Sequence, residues 1–165
     1  MMNDRYLMHY GVKGMKWGVR HDHHNASKSN KVYSTLTKKE QYYLSGGENR
    51  KYYINQKDYK SAAYSVITSC GNTPVSFLDI FVDPNHRDTG EVAVAVSKNY
   101  RKKGYAQESI RRGMEWFDNN SEMKTLVWGV HKDNSASIGL AKSSGFKRDR
   151  KWDYDKEWIA YSKKK

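Results

Sequence analysis

The stretch Val96 to Ala106 reads "VSKNYRKKGYA", with four cationic side chains (Lys98, Arg101, Lys102 and Lys103) ahead of Gly104. It lies between two hydrophobic patterns of different period. Before it, "EVAVAV" (91–96) carries no charge after Glu91, as expected of a strand buried on both faces. After it, Ala106, Ile110, Gly113, Met114 and Phe117 recur at helical spacing, with Glu108, Arg111, Arg112 and Glu115 elsewhere on the surface. A strand, a loop and a helix that opens at Gly104 follow from that change of period. The amides that open such a helix lack intrahelical partners, and the helix dipole adds partial positive charge there. Such a cationic loop could contact nucleic acid, form a solvated helix face, or cradle the phosphates of a small cofactor. Gly104 admits a diphosphate close to the backbone, and Arg101, Lys102 and Lys103 surround it with charge. The loop lacks the G-x-x-x-x-G-K frame of a nucleotide hydrolase and is not G-x-G-x-x-G, so those two cofactor classes are disfavoured.

The neighbouring segments give the setting. "SAAYSVITSC" (61–70) and "PVSFLDIFV" (74–82) are strand-type runs separated by Gly71-Asn72-Thr73, a hairpin signal. "DPNHRDTG" (83–90) reads as a turn-rich connection. Upstream, "YSTLTKKEQYYLSGG" predicts a short helix, with Thr37 and Glu40 as a capping box and Gly46-Gly47 to end it. Downstream, "KTLVWGV" (124–130) predicts a strand, and "DNSASIGLAKSSGF" (133–146) a helix capped by Asn134 with Gly145 at its C-terminal turn. "WDYDKEWIAYS" (152–162) alternates polar with aromatic or apolar residues and predicts a final strand or hairpin. The order predicts a mixed α/β (α+β) single domain over 32–165. Residues 1–31, rich in Gly, His, Lys and Ser, read as a leader followed by a polar linker.

Composition narrows the function classes. The chain has 165 residues, enough for one domain with a real core. Its 13 Tyr and 5 Trp argue against a disordered chain. The net charge of +12 is concentrated in residues 1–32 (6 cations, 2 anions) and from 91 onward (17 cations, 10 anions). Such a basic half attracts phosphate cofactors, RNA, DNA or acidic surfaces. The one cysteine, Cys70, cannot form an internal disulfide; it fits a reducing compartment and reads as structural. No apolar run approaches a membrane span, so no membrane partner is expected and the location reads as cytoplasmic.

"VAVSKNYRKKGYA" resembles the acyl-coenzyme A signature of the GNAT superfamily of N-acetyltransferases, R/Q-x-x-G-x-G/A, here Arg101-Lys102-Lys103-Gly104-Tyr105-Ala106. A second signature follows: a strand, then Asn134, Ser137 and Leu140 along a helix that ends in Gly145-Phe146. The similarity covers about residues 33–162, in that family's element order. It implies a GNAT-like mixed central sheet with two splayed parallel strands and flanking helices, and acetyl-CoA as acyl donor. Backbone groups at Val94 and Val96 would pair with the pantetheine arm, and amides from Arg101 to Ala106 would hold the pyrophosphate. Asn134 and Ser137 would line the second strand–helix junction, where the thiol end lies. The implied reaction is direct transfer of an acetyl group to a primary amine on a small molecule, a protein or an aminoacyl-RNA.

That chemistry needs a neutral amine, a polarised thioester carbonyl and a proton for the leaving thiolate. A backbone amide near Val96 would serve the carbonyl. Glu91 is the first candidate for the base, Asp79 the second and His131 the third. Ala141 stands where many members carry a Tyr that protonates the thiolate, so that proton must come from another group or from water. Ala141 also favours the alternative expectation, a binding module with vestigial catalysis that contacts nucleic acid or a phage or host protein. The leader "YLMHYGVKGMKWGVR" resembles short segments of proteins of phages infecting Gram-positive bacteria, which would make it a docking peptide and place the chain in the host cytoplasm. "HDHH" (21–24) groups three imidazoles without a nearby Cys, and no metal site is expected there.

Overall fold

The computed structural model describes residues 31–32, 34–39, 62–83 and 85–165. In chain order the elements are β1 (Tyr64–Cys70), β2 (Thr73–Val82), β3 (Thr89–Val96), α1 (Tyr105–Asn120), β4 (Thr125–His131), α2 (Ser135–Ser143), β5 (Lys147–Arg148) and β6 (Trp158–Lys164). The strands form one sheet in the order β1-β2-β3-β4-β6-β5. β3 and β4 run parallel, while each of the other neighbouring pairs is antiparallel. This is the mixed α/β sheet that the sequence predicts.

Each face of the sheet has its own core. Leu78, Ile80, Val92, Leu126 and Trp128 point to one side, where they meet Ile110, Met114 and Phe117 of α1 and Ala141 of α2. Phe77, Phe81, Ala93 and Ala95 point to the other side, against Val32 and Leu36. The two-residue alternation of a strand puts Glu91 on this second face, away from both helices.

The first turn of α1 is tied to the sheet by polar groups. Ser109 Oγ lies 2.9 Å from Thr68 Oγ1 and 3.0 Å from Ser76 Oγ, all three buried. Removing the shared hydroxyl in Ser109→Ala leaves the other two short of a partner in a dry site. The expected cost is roughly 1–3 kcal/mol, read as a lower urea midpoint at unchanged slope.

Several expectations need correction. Residues 152–157 are not strand: Arg150–Trp152 form a single 3-10 turn, and β6 starts only at Trp158. The alternation there reflects loop packing, with Trp152 edge-on to His86 at 4.9 Å. The edge strand β5 went unpredicted. Thr89 and Gly90 belong to β3 rather than to the connection before it. Cys70 is exposed at the end of β1, with its thiol at the Tyr105 hydroxyl, and is no part of the core. The helix expected over Thr37 to Gly47 lies mostly outside the described residues, of which 31–32 and 38–39 are helical. The leader also lies outside them. No helix among the described residues is long and apolar enough to cross a membrane.

Candidate functional site

The sheet is forked. β3 and β4 pair only at Thr89–Thr125, Gly90–Leu126 and Glu91–Val127. Beyond Glu91, β3 runs on to Val96 beside β2, and β4 runs on to His131 beside β6, without pairing each other. Thr89 accepts from Asp83 N at 2.9 Å and Ser97 N donates to Val75 O at 2.8 Å, so odd-numbered backbone groups of β3 face β2. Alternation then turns those of Val92, Val94 and Val96 into the fork, where no strand answers them. An extended ligand with its own amides fits that edge as an added strand would.

A cleft of about 780 Å³ occupies the fork on the helix side. Its walls include Val94 and Val96 of β3, Arg101, Lys102 and Gly104 of the loop, and Tyr105 and Ala106 of α1. Asn134 and Ser137 close it from the start of α2. The sequence-predicted cofactor residues thus converge on one cavity, with the exception of Lys103. That side chain is exposed and rests over the Tyr100 ring at 5.5 Å. Tyr100, Gly129, His131 and Asp133 also line the cleft and went unpredicted. Their place depends on the splay, which no local motif encodes.

The loop is built for an anion. Lys98–Tyr100 make a 3-10 turn, held by Tyr100 N donating to Ser97 O at 2.9 Å. Arg101 Nε donates to Val96 O at 3.1 Å and pins the guanidinium to the end of the strand. Lys102 (φ +58°) and Gly104 (φ +85°) are both left-handed, which bends the backbone into a concave run of N–H groups. Gly104 caps α1 with no side-chain hydrogen bond, so the first amides of this 16-residue helix stay open to a ligand. At α2 the same groups are answered from within, since Asn134 Oδ1 accepts from Ser137 N at 3.1 Å.

Arg111 and Arg112 do not join the anion site. Both hold Glu108, at 2.9 Å and 2.8 Å, and their guanidinium groups lower the Glu108 carboxyl to about 2. They belong to the exposed face of α1, as the sequence predicts.

The candidate proton-transfer groups are on the other face. Glu91, at the last rung of the parallel ladder, accepts a hydrogen bond from Tyr154 Oη at 3.0 Å on Oε1. Asp79 is 4% exposed and sits one diagonal away, with Asp79 opposite Ala93 and Glu91 opposite Phe81. His131 is clamped at both nitrogens: Asp133 N donates to Nδ1 at 3.3 Å, and Glu157 Oε2 lies 3.7 Å from Nε2. Lys132 Nζ holds the same Glu157 at 2.6 Å. The imidazole also meets the Trp158 ring edge-on at 5.3 Å. Ala141 is fully buried in the core.

Residues 30–146 match the model of the acetyltransferase (GNAT) family. Residues 2–24 match a separate family of unknown function (DUF7211). None of the curated proteins matches the chain. Among solved structures, the chain is similar to the GNAT domain of PAT from S. lividans, at 11% identity and TM-score 0.66 over 87% of this chain and 86% of that one. It is likewise similar to an acetyltransferase of the GNAT family from Streptococcus pneumoniae, at 14% identity and TM-score 0.63 over 88% and 97%. A third similar structure is the Salmonella typhimurium acetyl transferase that modifies the N-terminal serine of ribosomal protein L7/L12, at 15% identity and TM-score 0.59 over 85% and 91%. At these identities the likeness is one of fold.

Proposed function

The chain belongs to the acetyltransferase (GNAT) family, and on that premise we propose that it moves an acetyl group from acetyl-CoA directly to a primary amine. The observation that carries this reading is the forked sheet with an uncapped, glycine-opened helix at its mouth. The donor set fits the cofactor: an anion cradle from Arg101 to Ala106, then backbone groups of Val96, Val94 and Val92 pointing into the cleft. When bound, acetyl-CoA supplies an activated thioester carbonyl.

The chain's own groups then divide the work. The N–H groups of the cradle hold the pyrophosphate in place of side-chain caps. Arg101, pinned to Val96 O, joins the anion cradle to the strand that takes the pantetheine arm. A β3 amide turned into the fork polarises the carbonyl. Glu91, at the apex of the fork and on the face opposite the helices, takes the proton of the attacking amine. The acceptor approaches from that second face, and its class stays broad: a small amine, a protein amine or an aminoacyl-RNA. The separate matches of residues 2–24 and 30–146 support a division into a leader and a catalytic domain near residue 31.

Calorimetry with acetyl-CoA tests the base of this reading, and absence of binding refutes it. Incubation with labelled acetyl-CoA and candidate amines then tests transfer. Glu91→Gln is expected to leave acetyl-CoA affinity unchanged and to slow transfer on the order of 100-fold or more, the usual share of a positioned base. An equal rate in that variant assigns the base to Asp79 or His131.

A further inference from the structure

On the face opposite α1 and α2, one side chain spans the fork. The ring of Tyr154 covers Gly129 on β4, where an added Cβ would come within 2.7 Å of Tyr154 Cε2. Its hydroxyl reaches Glu91 on β3, at 3.0 Å. A tyrosine therefore links the two strands just past their last shared rung, at the level where the backbone ladder has opened.

The segment that carries Tyr154 is braced in place. Tyr154 N donates to Trp158 O at 3.1 Å. Asp155 Oδ1 accepts from the amides of Glu157 and Trp158, both at 2.7 Å. Asp153 Oδ1 accepts from Ala160 N at 2.8 Å, while its Oδ2 holds Arg148 at 2.5 Å. Tyr154 is nonetheless 43% exposed. A hydrogen bond at that exposure contributes little to folding, because water competes for both groups. So much bracing of a water-facing phenol suits a group held ready for a ligand.

We propose that Glu91 and Tyr154 act as one proton-sharing pair that replaces the donor absent at Ala141. Glu91 takes the proton released as the acceptor N–C bond forms. As the thioester C–S bond breaks, the Tyr154 hydroxyl gives its proton to the sulfur and regains one from Glu91. One N–C bond forms, one C–S bond breaks, the amine proton ends on the thiol, and neither residue is consumed. This rests on the acetyl-transfer reading above. The other charged groups on this face are Asp79 on β2 and the His131, Asp133 and Glu157 group at the end of β4, with Lys132 on Glu157.

The test uses the full chain and needs no known acceptor. The thiol of bound CoA is titrated by thiolate absorbance, with the desulfo-CoA complex subtracted. A phenol donating to sulfur favours the thiolate, so the wild-type thiol titrates below that of free CoA. Tyr154→Phe returns it toward the free value by roughly half a unit or more. In parallel, the Glu91 carboxyl is followed by ¹³C NMR, assigned with Glu91→Gln, and its midpoint rises in Tyr154→Phe because a hydrogen bond to the charged form is gone. An unchanged thiol midpoint overturns the proton return, and an unchanged carboxyl midpoint overturns the pairing. Failure of wild type to bind CoA at all overturns the acetyl-transfer reading and this proposal with it, an outcome visible before any titration.

Discussion

Gly104→Glu is expected to abolish measurable acetyl-CoA binding while leaving the folded protein close to wild-type stability. Two effects act together at this position. Gly104 sits at φ +85°, where an L side chain costs roughly 1–2 kcal/mol. A Cβ there meets nothing within 4 Å, so the fold itself suffers no clash. The new carboxylate lies at the open amides of α1, where a negative charge is welcome to the helix and offsets part of the strain. What helps the helix excludes the ligand, because the carboxylate occupies the place of the pyrophosphate and repels it. An affinity loss on the order of 100-fold or more, about 3 kcal/mol, is expected by calorimetry. Gly104→Ala carries the backbone strain without the competing charge and should bind far better than the Glu variant. Equal affinity in wild type and Gly104→Glu would falsify the placement of the phosphates.

What was legible in the sequence was local. The strand, the loop, Gly104 and the helix follow one another along the chain, so the period change and the glycine could be read directly. The Asn134 cap is local in the same sense, and its bond to Ser137 N forms as expected. The fork is not local. Val127 and Glu91 are partners only because β3 and β4 lie side by side, and nothing in either strand announces that their pairing stops after three rungs. Tyr154 was lost for a related reason. Its segment alternates like a strand, yet the alternation comes from Trp152 on His86 and Tyr154 on Gly129, two contacts of long sequence separation. Lys103 shows the opposite failure: its charge fitted the loop's reading, and its side chain lies outside the cleft walls.

Gly90→Val should be the most damaging substitution for the fold itself. Gly90 is the middle rung of the parallel ladder, opposite Leu126 on β4 and Val82 on β2. A Cβ there would stand 2.7 Å from Met123 Sδ, 2.8 Å from Leu126 Cδ2 and 2.9 Å from Ile80 Cγ2. All three neighbours are at most 2% exposed, so none can swing into water to make room. The flexible thioether of Met123 can yield, but Leu126 and Ile80 are locked by the helix-side core. A valine adds two further methyl groups to a site with no space for one carbon. Overpacking of this kind is expected to cost roughly 3 kcal/mol or more, toward or past the upper end of such changes. For a chain of this size that lowers the unfolding temperature by about 10 °C, measurable by calorimetric scanning. The damage should extend to function, because these three rungs are where the two cofactor-binding strands meet. A wedge at Gly90 moves Glu91 and the start of the fork together, so cofactor affinity should fall even in the fraction that stays folded. Gly90→Ala, with one carbon to place instead of three, should lose less on both measurements. A Gly90→Val protein that melts at the wild-type temperature would mean that the apex of the fork is looser than its contacts require.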